Sequence, residues 1–541
     1  MKTLKKLFTL TLAVLMIMAL AAPVAAAGEN YTITVKGTAT GHIFEAYQIF
    51  AGNLDSAGIL TEVTWGSGVD TTKKVTWGEG ESARELTVLE ALQTMTRYAE
   101  ADSASDVASA LNNATSSDAL AFAAVVSKYL SNTKTNTGTQ AGPTYTLSGL
   151  QAGYYLIKDK DGSLQGKEDE SYTEFILSVS KNTEINPKSG HATVEKQVSN
   201  TGAFGSFGDW VTQSIGSQVF FNVKGTLSNE LHYYDEYYYA FIDNMTSGLT
   251  YDVGSVTVTR MDANGGTDLI DASCYTVQAN AVENGTELKV TFDNLLNATS
   301  GGNKLTINRS DNILLSYSAT VNSNSLIGLD HPDKNKVYIE YSNNPNTEDH
   351  GKTHAVDVDV YTFELDIKKV DAMNHEKVLA NAEFILYRTI SDVTTYAKAE
   401  QNADGVYKVS EWVADQANAT VFVTGTDGML KVSGLKAGGF YVKETKAPAG
   451  YNLLPEPLEV WIQVNKDALA AGTGEKVTAS VGSASVSVNA GTGVVSATIE
   501  NAAGTILPST GGIGTTIFYA VGGILFCGAI ILLVTKKRMG A

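Results

Sequence analysis

Two stretches of period-two alternation each carry a lysine in an otherwise apolar register, and this constrains the fold more than any other feature. In Val194, Lys196, Val198 the lysine shares a face with two valines; in Leu365, Ile367, Lys369 the same period selects Lys369 over its neighbour Lys368. Successive strand side chains point to opposite faces, so both amines are aimed at whatever core the apolar residues bury. An unpaired ammonium left there costs several kcal/mol, which in an ordinary strand would argue for reassigning the face. Burial lets a lysine shed its proton and act as a nucleophile, and it pushes a neighbouring carboxyl toward its neutral, hydrogen-bond-donating form.

The surrounding composition suits a mainly β protein. Thr, Val, Tyr and Gly are abundant, Pro numbers only 9 in 541 residues, and the ordered length suggests three domains of ordinary size. Lys2, Lys5 and Lys6 precede an apolar segment at 7–20, and Ala25, Ala26 and Ala27 stand before Gly28. This reads as a signal peptide over 1–27. At the other end Leu507, Pro508, Ser509, Thr510 and Gly511 precede an apolar run at 513–534 and then Lys536, Lys537 and Arg538. The run would make roughly 33 Å of helix, enough to span a bilayer, with the basic cluster held on the cytoplasmic side. Pro508 biases Leu507 toward an extended conformation, which presents the pentapeptide as an open strand.

The two ends hold six of the 39 basic residues and none of the 58 acidic ones, so the part between them is strongly acidic. That balance argues against nucleic acid as a partner. Of two cysteines, Cys527 falls in the apolar run and Cys274 stands alone, which leaves no intramolecular disulfide for an exported chain.

Along the chain, Tyr31, Ile33 and Val35 alternate as a strand, and 82–130 has helical spacing with Leu86, Leu89, Leu92 and Met95 on one face. Strands resume at Thr144, and Gly149 to Tyr155 reads as a turn feeding a strand. The reading is a first domain over 28–187, a sandwich with helical insertions. A middle domain over 188–360 and a third over 361–504 follow, with a C-terminal signal over 505–541. Asn186, Pro187, Lys188, Ser189 and Gly190 form an exposed linker, where a lysine amine is accessible; Lys181 is its nearest competitor.

Enzyme chemistry finds little support. Ser178 and Lys181 fit an S-x-x-K spacing, but on a predicted strand and without the companion motifs. The seven His show no metal-ligand spacing and no phosphate-cradling loop appears, so neither metal nor cofactor is expected.

The pentapeptide, apolar run and basic tail resemble the sorting signal read by sortases of Gram-positive bacteria. The resemblance implies cleavage between Thr510 and Gly511 and transfer of the Thr510 carbonyl to an amine. Phe363 to Asp371, Leu379 to Phe384, Gly439 to Thr445 with Ala447 to Tyr451, and the strand Ala497 to Asn501 resemble a Cna B-type domain. It implies an isopeptide bond between Lys369 and Asn501, with Glu444 as the proton-sharing carboxyl. The middle domain resembles the Cna A-like domain of the same proteins. There Lys196 would join an asparagine with Asp243 as the acid, Asn335 being favoured and Asn343 the alternative on the same strand face. The first domain repeats part of the pattern, with Asp159 in the place of the acid, but offers no lysine and asparagine pair and no bond is expected.

Taken together the chain resembles the sortase-assembled backbone pilins of Gram-positive bacteria, tandem immunoglobulin-like or Cna-type sandwiches. In that family Lys188 would be the attacking amine on a second copy. The implied partners are other copies of the chain, a class C pilin sortase, a housekeeping sortase, accessory pilins, peptidoglycan and host surface ligands. The implied location is a pilus covalently attached to the cell wall. A singly wall-anchored adhesin of stacked sandwiches is the alternative, and Lys188 separates the two.

Overall fold

The computed structural model of the protein describes residues 30–36, 42–78, 83–112, 114–132, 134–186, 190–345, 347–504 and 513–539. The expected signal peptide, Lys188 and the pentapeptide at 507–511 lie outside the described residues. Packing divides the chain into two compact units. One comprises Met1–Val211, Gln218–Thr320 and Asp333–Asp359; the other comprises Thr212–Ser217, Val321–Pro332 and Val360–Ala541.

The first unit begins with two sheets. Strand β1 (Tyr31–Lys36) buries Tyr31, Ile33 and Val35, as the alternation requires. Strands β2 (Phe44–Leu54) and β3 (Leu60–Trp65) follow, then helices α1 (Val88–Gln93), α2 (Ala104–Leu111) and α3 (Ser116–Val126), and then β4 (Thr144–Leu150), β5 (Gly153–Asp159), β6 (Glu174–Val179) and β7 (Thr183–Ile185). One sheet runs β7-β1-β4 and the other β6-β5-β2-β3. Ser178 does lie on a strand, β6, with Lys181 exposed just beyond it.

The helical face differs from the one expected. Thr87 and Glu90 form a capping box, so α1 starts at Val88 and buries Val88, Ala91 and Leu92. Leu86 belongs instead to a short strand, Arg84–Leu86, because a helix cannot run back through its own N-cap.

The unit continues with β8 (Val194–Ser199), β9 (Gln218–Thr226), β10 (Tyr239–Thr246), β11 (Thr257–Met261), β12 (Thr276–Val282), β13 (Gly285–Phe292), β14 (Asn312–Val321), β15 (Asp333–Ser342), β16 (His350–Lys352) and β17 (Val356–Tyr361). These form two sheets, β8-β9-β14-β11 and β17-β15-β10-β13-β12, with β16 paired to β15. Asn335, Val337, Ile339 and Tyr341 all point inward from β15.

The segment from Asp159 to Thr173 is held from both sides. His42 lies buried between Asp159 (Nδ1 to Oδ1, 2.8 Å) and Glu170 (Nε2 to Oε2, 2.7 Å), and the Thr173 amide donates to Asp159 at 2.9 Å. The same segment meets β15 and β16: Tyr341 Oη donates to the Glu170 carbonyl at 2.8 Å, and the amides of Gly166 and Asp169 donate to the His350 and Lys352 carbonyls. Burial opposes charge on His42, but its two carboxylate partners outweigh it and hold the imidazole at about 10. Nearby, burial pushes the Glu174 carboxyl up to about 7, with Tyr172 Oη donating to it at 2.6 Å.

The second unit is built on one twelve-stranded sheet. Its main strands are β18 (Phe363–Asp371), β19 (Glu383–Ile390), β20 (Met429–Leu435), β21 (Gly438–Lys446), β22 (Leu458–Val464) and β23 (Val494–Asn501). Runs β22-β21-β19 and β20-β18-β23 are joined through Val393–Gln401 and Val406–Val413, and β18 lies parallel to β23. Helix α4 (Ile513–Met539) covers the apolar run. Among the described residues no helix is long and apolar enough to cross a membrane, so the expected span at 513–534 rests on the sequence alone. Cys274 and Cys527 are both free thiols.

Both raised values act in one direction. The His42 contribution is complete below pH 6.5 and is lost as the pH rises through about 10; the Glu174 contribution is complete below 4.5 and is lost through about 7. The melting temperature of the first unit is therefore expected to fall between pH 5 and pH 10. Differential scanning calorimetry should also show His42→Ala lowering stability at pH 6 by ~3–5 kcal/mol, since it leaves two buried carboxylates without their cation.

Candidate functional site

The middle sandwich brings Lys196, Asp243 and Asn335 together, and their side chains meet between its two sheets. Lys196 projects from β8, where Val194 and Val198 flank it in the core. Asp243 on β10 lies opposite Val337 of β15, and Asn335 lies opposite Met245, so the acid and the amide share one face of their sheet. The Lys196 and Asp243 side chains are fully buried and ion-paired through Nζ and Oδ2. Burial drives the Lys196 amine below its ordinary range and the Asp243 carboxyl above its own, with the mutual attraction acting against both shifts. Both effects favour a neutral amine beside a neutral acid, the pair that amide formation requires.

Asn343 is not part of this cluster. It lies just past the end of β15, and its Nδ2 donates to the Leu164 carbonyl at 2.6 Å, so its amide is committed to the segment that follows β5.

A residue that sequence reasoning missed completes the cluster. Tyr317 on β14 places its hydroxyl 3.0 Å from Lys196 Nζ, donates to Asp243 Oδ2 at 2.7 Å and accepts from Asn335 Nδ2 at 2.6 Å. The available signal was its register: Ile313, Leu315, Tyr317, Ala319 and Val321 form the buried face of one strand, and a tyrosine in a core needs a partner for its hydroxyl.

The second unit gathers Lys369, Glu444 and Asn501. In the parallel pair β18 and β23, Lys369 lies opposite Ile499, two residues before the Asn501 position. Lys368 is exposed and Lys369 fully buried, as the alternation selects. Lys369 Nζ lies 3.7 Å from Glu444 Oε1, and Asn501 Nδ2 donates to the two Glu444 oxygens at 3.1 and 3.2 Å and to the Asn452 carbonyl at 2.9 Å. The Leu454 amide also donates to Glu444 Oε2 at 2.8 Å, which fixes the carboxyl. Burial lowers the Lys369 amine to about 8 even with Glu444 beside it.

The backbone at Lys369 is held by a close approach: its amide donates to the Gly428 carbonyl, and Gly428 has a φ of +72°. A Cβ there would sit 2.8 Å from the Lys369 carbonyl oxygen.

In the first sandwich, Asp159 receives the His42 imidazole rather than a lysine amine. Among the described residues no group of three or more His, Cys, Asp or Glu is placed to hold a metal ion.

With this geometry in view, comparison places residues 363–476 in the SpaA prealbumin-like fold domain family. The match covers β18 to β22 of the second unit. The chain is also 26% identical over 342 residues to the trypsin-resistant surface T6 protein of Streptococcus pyogenes serotype M6, a match covering 60% of this chain and 54% of that protein. It spans about half the length of that curated relative. Solved structures similar to it include the T6 backbone pilin of serotype M6 Streptococcus pyogenes, at 16% identity over 88% of this chain and 99% of that one with a TM-score of 0.47. The full-length major pilin SpaD of Corynebacterium diphtheriae aligns at 19% identity over 88% and 98% of the two chains, with a TM-score of 0.46.

Asp243→Ala leaves the buried Lys196 amine without its partner and without the acid that amide formation requires, so it is expected to destabilise the first unit by about 3–5 kcal/mol in urea unfolding. The double variant Lys196→Met, Asp243→Leu should recover part of that loss, because two apolar groups replace the stranded amine and its acid.

Proposed function

We propose that this chain is the structural subunit of a covalently polymerised pilus shaft, stiffened by an internal isopeptide bond in each of its last two sandwiches. The observation that carries the reading is the pair of buried lysine, carboxyl and asparagine clusters, Lys196 with Asp243 and Asn335, and Lys369 with Glu444 and Asn501. A single buried ion pair is common enough; two with an amide in the same cluster are better suited to a reaction than to packing. The SpaA family match and the T6 relative support the reading.

In each cluster the neutral amine attacks the asparagine Cγ. The carboxyl takes up and returns a proton, and ammonia leaves as the amide forms. The Lys369 to Asn501 bond closes a loop of 132 residues, worth roughly 5 kcal/mol in the chain-entropy treatment. Because β18 and β23 are parallel neighbours, tension on the ends of that domain loads the covalent link before it shears the hydrogen-bond ladder.

Between copies, a class C sortase cleaves Thr510 from Gly511 and passes the Thr510 carbonyl to Lys188 of the next subunit. A housekeeping sortase transfers the finished polymer to peptidoglycan. Accessory pilins and host surface ligands are the remaining partners. The chain itself is a substrate and scaffold, its only chemistry being the formation of its own bonds.

Co-expression with the cognate class C sortase is expected to yield a ladder of SDS-resistant multimers that disappears with Lys188→Ala. A monomer band alone would instead favour a singly anchored adhesin. Intact mass of the ectodomain should fall short of the sequence mass by about 17 Da for each internal bond, two in all, the ammonia released by the chemistry above.

A further inference from the structure

We infer that Tyr317 is a catalytic residue of the middle-domain bond, the proton relay between Asp243 and the departing amide nitrogen of Asn335. The inference rests on the bond proposed for that domain. Its basis is a contrast between the two clusters. In the third domain the amide nitrogen of Asn501 bonds directly to both oxygens of Glu444, so the acid reaches the leaving group unaided. In the middle domain the Asn335 Nδ2 bonds to the Tyr317 hydroxyl at 2.6 Å, and it is that hydroxyl which bonds Asp243 Oδ2 at 2.7 Å. The same hydroxyl lies 3.0 Å from the Lys196 amine. Tyr317 thus touches both nitrogens exchanged in the reaction.

The step balances as follows. Lys196 gives a proton to Asp243, and its free amine attacks Asn335 Cγ, forming the Nζ–Cγ bond. In the tetrahedral intermediate the former amide nitrogen regains a lone pair. The hydroxyl then reverses its direction, accepting from protonated Asp243 while donating its own hydrogen to Nδ2. The Cγ–Nδ2 bond breaks, ammonia leaves, and the surplus proton on Nζ returns to Asp243. No outside reagent is consumed. The ring is held for this role by stacking on Phe221 at 5.1 Å between centroids, and burial keeps the phenol neutral, able to donate and accept at once.

The test is Tyr317→Phe in the full ectodomain, which keeps the ring and removes the relay, with intact mass followed at intervals after a pulse of expression. The expected result is loss of only one deficit of ~17 Da, with the Lys369 to Asn501 cross-linked peptide formed normally and the Lys196 to Asn335 peptide absent or delayed at least tenfold. Equal time courses for Tyr317→Phe and wild type would overturn the relay while leaving the bond itself intact. A wild-type protein without the Lys196 to Asn335 peptide would overturn both. Circular dichroism reports whether the variant folds. Should it not, uniform 3-fluorotyrosine labelling of the wild-type chain acidifies the phenol without altering packing. The ratio of middle-domain to third-domain bond formation is then expected to shift, and an unchanged ratio would overturn the relay.

Discussion

Everything else around the two buried lysines depends on placing an amine where water cannot reach it. A lysine in such a core is expensive as an ammonium and reactive as an amine, and the carboxyl beside it decides which description applies. Lys196 with Asp243 and Lys369 with Glu444 are fully buried pairs, so charge on either pair is unfavourable and neutralisation relieves it. An asparagine in contact with the same cluster gives the neutral amine somewhere to go. The energetic burden of burial and the proposed covalent bond are then two stages of one design.

The first sandwich pairs its buried acid differently. Asp159, the last residue of β5, meets His42, whose second nitrogen binds Glu170. An imidazole between two carboxylates is held as a cation and has no nucleophilic role there. The result is an electrostatic clamp whose outer end is bonded to β15 and β16. One sandwich thus relies on charge pairing, and its strength depends on pH in a way that an amide bond would not.

Much of this was legible in the chain. Period-two alternation identified Lys196 and Lys369 as inward and Lys368 as outward, and the buried faces of β8, β15 and β18 agree with it, because a strand has only two faces. The choice between Asn335 and Asn343 was less accessible. Both have the parity of the same face, and only the end of β15 at Ser342 and the bond from Asn343 to Leu164 separate them. The helical face around Leu86 was misread for a local reason: the Thr87 and Glu90 capping box starts the helix later than the apolar spacing suggests.

The sequence by itself determined which side chains could face a core, since alternation and composition act over neighbouring residues. Which of them meet was decided by tertiary structure. Tyr317 comes from β14, 121 residues beyond Lys196 in the chain, and His42 reaches Asp159 across 117. No local pattern records a distance between sheets, and the direction of a hydroxyl or an imidazole is set by whichever polar atoms remain unpaired once the sheets have closed.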